Sequence, residues 1–133
     1  MKKFIGLLLL VLLVAVSCQK KDASDEFSNS LKLGTGLNPS NLFQLAGEGT
    51  SFTKSTPVYF RLESKDDMAG SMVRLHIVGS GVAYDENWDF NNPQSYGHIF
   101  LSSFTLSEAG TYTVTGILVA SSKTVASVTF TIQ

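Results

Sequence analysis

Four aromatic residues, Tyr84, Trp88, Phe90 and Tyr96, fall in one short stretch and are interleaved with Asp85, Asn87, Asp89, Asn91 and Asn92. Flat rings beside amides and carboxylates suit sugars, whose C–H faces stack on the ring while their hydroxyls need hydrogen-bond partners. The same chemistry suits protein partners, for which Trp and Tyr are favoured anchors. Tyr84, Trp88, Phe90, Asn91 and Tyr96 are therefore the candidate ligand-binding residues, and glycan or protein is the expected ligand class. The competing reading folds Trp88 and Phe90 back over the open end of a core, because large aromatics are mostly buried. Mutation of Trp88 separates the two, through loss of binding or loss of stability.

Turnover would need a nucleophile, a base and an orienting partner within hydrogen-bond reach. Serine occurs in surface and turn settings, no Gly-x-Ser-x-Gly is present, and the two imidazoles, His76 and His98, lie on different segments. They read as ordinary strand histidines, so no catalytic residue is assigned and the chain is expected not to be an enzyme. Asp85, Asn87 and Asp89 repeat the spacing of the first three oxygen ligands of a calcium-binding EF-hand loop. Phe90 then stands where that loop needs Gly, and Tyr96 where it needs a bidentate Glu. The stretch reads as a solvated acidic loop, with no metal and no cofactor implied. Gly47-Glu48-Gly49 and Gly79-Ser80-Gly81 read as turns, since a phosphate cradle needs a helix N-terminus behind it and none is predicted.

The scaffold that must position these residues is small. The chain has 133 residues, 44% hydrophobic and 16% charged, with a formal charge of −1. No basic block is available to neutralise phosphates, which argues against a nucleic-acid partner. Cys18 is the one cysteine. No intrachain disulfide can form, and core packing alone must hold the domain.

Period-two alternation of apolar residues marks the strands. Leu31 to Leu37, Leu42 to Ala46 and Thr50 to Thr53 read as pieces of a split first strand, with the last two paired and a turn at Asn38-Pro39-Ser40-Asn41. Thr56 to Glu63 carries Val58, Phe60 and Leu62 inward, and Pro57 opens it where a missing donor is tolerated. Ser71 to Val78 carries Val73, Leu75 and Ile77, Val82 to Asp85 is a short strand, and Glu86 to Tyr96 reads as an irregular loop. Gly97 to Phe104 and Thr124 to Ile132 complete the set around a central strand beginning near Thr111.

That central strand follows a sharp corner, Ser107-Glu108-Ala109-Gly110, and begins with Tyr112, Val114, Gly116 and Leu118 on one face. Gly110 and Tyr112 resemble the tyrosine corner of immunoglobulin-like β-sandwiches, in which a Tyr opening strand F hydrogen-bonds back to the corner backbone. The resemblance implies an all-β fold, an immunoglobulin-like antiparallel β-sandwich of about seven or eight strands over residues 31–133. In its terms Thr56 to Glu63 is strand B, Ser71 to Val78 strand C, Gly97 to Phe104 strand E, and the last two strands F and G. No cysteine pair joins B to F, and Trp88 lies past strand C. The likeness is therefore to the looser bacterial and fibronectin type III-like sandwiches, and it brings an alternative to loop binding: a structural or accessory subunit that docks by an exposed strand edge, which a sandwich offers unless it is blocked.

Ahead of the sandwich, Lys2 and Lys3, the apolar run Phe4 to Val16, and small Ser17 divide as a secretory signal peptide does. The run is too short to span a bilayer, which takes roughly 20 apolar residues. Ala15-Val16-Ser17-Cys18 resembles the lipobox of bacterial lipoproteins, which implies a signal peptide at 1–17, lipidation of Cys18 and a membrane partner reached through the lipid. Gln19 after the cysteine looks like the outer-membrane sorting pattern, and Lys20-Lys21-Asp22 has some similarity to a surface-export signal. The implied location is the bacterial cell envelope, at the outer membrane. Polar residues from Gln19 to Ser30 read as a flexible tether.

Overall fold

Side chains at alternate positions of a strand point to opposite faces, so a half-buried sheet needs apolar residues at every second place. The strands of this protein obey that rule closely. The computed structural model describes residues 26–91 and 97–133; the signal-peptide segment, Cys18, Asn92 and Tyr96 lie outside the described residues. Among the described residues, ten strands follow in order: β1 (Ser30–Gly34), β2 (Gly36–Asn38), β3 (Asn41–Ala46), β4 (Ser51–Phe52), β5 (Pro57–Glu63), β6 (Met72–Ser80), β7 (Asp85–Asn91), β8 (Ile99–Thr105), β9 (Gly110–Leu118) and β10 (Lys123–Ile132).

They form a β-sandwich. One sheet has the order β1-β5-β8, the other β4-β10-β9-β6-β7, and β2 with β3 makes a separate hairpin. Every pairing is antiparallel except β4 with β10. Leu33, Val58, Phe60, Leu62 and Phe104 face Val73, Leu75, Ile77, Tyr112, Val114 and Phe130 across a buried core. Gly116 belongs to this packing, because a Cβ there would come within 2.7 Å of Leu62 Cδ1 on the facing sheet. A bulge in β10 between Thr124 and Ala126 turns Val125 inward, ahead of the regular alternation of Phe130 and Ile132.

The split first strand is arranged differently from the expectation. Ser51 and Phe52 pair with Thr131 and Ile132 of β10, not with the Leu42–Ala46 segment, which instead pairs back on Gly36–Asn38 as β3. The chain thus crosses from one sheet to the other between β1 and β4, turning through Gly47 at φ 61°. The hairpin lies against β5 on the outer face of the three-stranded sheet, where Arg61 Nε donates to the Phe43 carbonyl at 2.9 Å. A second correction concerns the supposed loop after Asp85. Asp85–Asn91 is a regular strand paired along its length with β6.

The corner before β9 closes on itself, with the Tyr112 hydroxyl donating to the Glu108 carbonyl at 2.7 Å. At the opposite end, part of the segment read as tether is held by the domain. Phe27 stacks on His98 with centroids 4.2 Å apart. Ser28 donates through its N–H and its hydroxyl to the Glu63 carboxylate at 3.1 and 2.9 Å, and Asn29 Oδ1 accepts from the Lys65 N–H.

Candidate functional site: two strand edges and an aromatic seam

β7 decides where the candidate binding residues go. Its sequence alternates polar and aromatic residues at the end that matters, so Trp88 and Phe90 turn toward the core and Asp85, Asn87, Asp89 and Asn91 toward the opposite face. Trp88 Nε1 donates to the Tyr84 hydroxyl at 3.0 Å. Trp88 lies 6.2 Å from Phe104, and Phe90 lies 5.3 Å from Phe60 and 5.8 Å from Phe100. Tyr84 meets Tyr112 edge-on at 5.7 Å. The structure therefore brings Tyr84, Trp88 and Phe90 together as a half-buried aromatic seam between β7 and β8. Asn91 stands on the other face, and Tyr96 is outside the described residues.

On that outer face the acidic row is already engaged. Arg74 grips Asp89 through two hydrogen bonds, at 2.7 and 3.0 Å, and His76 Nε2 lies 2.6 Å from Asp85 Oδ1. The Arg74 hydrogen bond holds the Asp89 carboxyl below the usual carboxylate range, and Asp89 in turn raises the guanidinium. The residues that spaced like calcium ligands thus sit along a strand, two of the three committed to cross-strand partners. No group of three or more His, Cys, Asp or Glu among the described residues could hold a metal ion. His98 is elsewhere, its Nδ1 3.0 Å from the Ser64 carbonyl.

Beyond the seam, both sheets end on the same side. β7 closes the order of one sheet and β8 that of the other. Which backbone groups they leave outward follows from the ladder. Ser64 N–H donates to the His98 carbonyl at 2.9 Å and continues the β5–β8 register. Bonded and non-bonded pairs alternate in an antiparallel ladder, so Phe100, Ser102 and Phe104 bond β5. Ile99, Leu101, Ser103 and Thr105 aim their N–H and C=O groups away, where no described strand receives them. Pro57, opposite Thr105, fits the same alternation: it falls at a non-bonded position, where its missing N–H costs no ladder bond. By the same argument from the Gly79 N–H to Tyr84 carbonyl bond, β7 turns Asp85, Asn87, Asp89 and Asn91 outward.

The two edges differ in chemistry. That of β7 carries Asp85, Glu86 and Asp89, and charge on an edge discourages a further strand. That of β8, Ile-Phe-Leu-Ser-Ser-Phe-Thr, has no charge and no proline. Next to it the β2–β3 hairpin exposes Leu42 at 64% and Phe43 at 47%. Sequence patterning points to Trp88 and offers docking through a strand edge as the alternative, without naming the strand. Its one signal is an uncharged strand, Gly97 to Phe104, in which both faces read as partly buried.

No protein-family model and no curated protein matches the chain.

Proposed function

We propose that the protein is a lipoprotein of a bacterial envelope, anchored through Cys18, whose folded domain is a non-enzymatic binding module that engages protein through the edge of β8. The lipobox-like Ala15-Val16-Ser17-Cys18 and the signal-like leader support the anchor, and Gln19 supports sorting to the outer membrane. Strand order, with β1, β5 and β8 in one sheet against β10, β9 and β6 in the other, supports reading the sandwich as immunoglobulin-like. The observation that carries the edge reading is the run Ile99–Thr105, uncharged and unbroken, which ends its sheet with no further strand beside it among the described residues. Added strands gain affinity from main-chain hydrogen bonds and specificity from alternate side chains.

Ser103→Pro tests it. Ser103 N–H faces the open edge, so proline there removes a donor from an incoming strand without removing a ladder bond to β5. The variant is expected to melt close to the parent and to lose partner binding in pull-down from solubilised envelope. Unchanged binding overturns the edge reading.

A second reading keeps recognition of glycan or protein at the seam, and the half-buried state of Tyr84, Trp88 and Phe90 favours it. Trp88 emission that shifts with one glycan of a panel supports this reading, and indifference to all of them removes it.

A further inference from the structure

We infer that the occupant of the β8 edge is the β8 edge of a second copy, giving a two-fold dimer with one continuous six-stranded sheet. The inference rests on the edge reading above and names its partner. The argument is one of self-complementarity. Centred on Ser102, two antiparallel copies of β8 overlap along the whole strand, with Leu101 opposite Ser103 and Ile99 opposite Thr105. These four residues are the ones whose backbone groups face outward, so each opposed pair can exchange two hydrogen bonds. That makes on the order of eight across the junction.

The side chains agree with that register. On the core-side face Phe100 falls opposite Phe104, and on the outer face an aliphatic residue meets a hydroxyl at each pair. No charge opposes a like charge. The same operation on β7 sets Glu86 opposite Phe90 and Asp85 opposite Asn91, and leaves all three carboxylates crowded along one seam.

A ladder of this length is small beside the roughly 800 Å² per partner of a stable interface. Leu42 and Phe43, exposed on the hairpin beside the same outer face, supply apolar area next to the junction. Two copies confined to one membrane raise each other's effective concentration, so a modest intrinsic affinity is enough.

Amide hydrogen exchange on the full chain, followed over a range of protein concentrations, tests this. Leu101 and Ser103 are expected to exchange at least about tenfold more slowly at high concentration than at low, while Asn87 and Asp89 on β7 stay unchanged. Fast exchange at Leu101 and Ser103 at every concentration overturns the second copy and leaves the edge to another protein. Slow exchange at every concentration supports the second copy where the chain sediments as a dimer throughout; in a chain that sediments as a monomer it means that the chain covers its own edge, and overturns both readings. A cross-link gives the register independently. Ser102 falls opposite itself as a non-bonded pair, about 4.5 Å between Cα atoms, within disulfide reach. Oxidised Ser102→Cys is expected to yield a disulfide dimer in excess of the parent chain, whose one cysteine is Cys18. Asn87→Cys is expected to yield none in excess. Equal yields from Ser102→Cys and Asn87→Cys overturn the register.

Discussion

Tyr112 and Trp88 show what single polar atoms do at the rim of an apolar core. The Tyr112 ring is fully buried, and its hydroxyl closes the turn before β9. Tyr112→Phe keeps the ring but leaves the Glu108 carbonyl without this donor, and is expected to lower stability by about 1 to 2 kcal/mol in denaturant unfolding. Burial pushes the Tyr112 phenol up, and the nearby Glu108 and Tyr84 push it further in the same direction. A group whose folded value is raised contributes its full stability below its unfolded value and loses it as pH rises through the folded one. The Tyr112 contribution is therefore complete at neutral pH and is expected to fade only on strong alkalinisation, with Tyr112→Phe lacking that alkaline step. Trp88→Ala is expected to cost about 2 kcal/mol, less than a fully buried tryptophan, because it removes the ring packed near Phe104 and the hydrogen bond to Tyr84. Unchanged stability together with lost glycan binding would return Trp88 to the ligand site.

At the scale of elements, strand alternation was the legible part. Val58-Phe60-Leu62, Val73-Leu75-Ile77 and Tyr112-Val114-Gly116-Leu118 place their strands within a residue or two because half-burial imposes period two directly on sequence. β7 escaped because Asp, Glu and Asn have low strand propensity and compose a loop by count. The alternation was nonetheless present in Asn87-Trp88-Asp89-Phe90, and cross-strand pairing with Arg74 and His76 stabilises the acids it carries. Nothing local could place the β2–β3 hairpin, whose seat on the outer face is fixed by Arg61, a residue distant in sequence. The docked segment before β1 makes a pH prediction. Burial raises the Glu63 carboxyl, but the Ser28 N–H and hydroxyl, with Arg61, lower it by more, so its net value falls below the ordinary carboxylate. Stability from this contact is present above the ordinary carboxylate value and is lost as pH falls through the lowered one. Protection of the Ser28 amide, its exchange rate relative to the intrinsic rate at each pH, is expected to fall on acidification through that range, and to be low at neutral pH in Glu63→Gln.

Seen whole, the molecule is asymmetric. One flank of the sandwich is closed by the chain itself, as β1 and β4 divide between the two sheets, and the other ends in β7 and β8 over an aromatic seam. The domain's fold class was readable because apolar alternation and turn residues speak for local geometry. The site was less so, because an edge is defined by a strand that is missing, and no residue announces that. Ser103→Pro is expected to separate the two properties, with native melting and lost edge pairing.

The clamp of Phe27, Ser28 and Asn29 against His98, Glu63 and Lys65 also sets a direction for force. A pull arriving through the N-terminal side meets the clamp first and then β1, which runs antiparallel to β5 from Ser30 opposite Glu63 to Gly34 opposite Tyr59. Tension along that axis loads the rungs of the ladder together in shear instead of opening them one after another. Pulled between its N-terminal side and Gln133, the domain is therefore expected to rupture at a rate that follows β1–β5 sliding and not its equilibrium stability, which single-molecule extension measures.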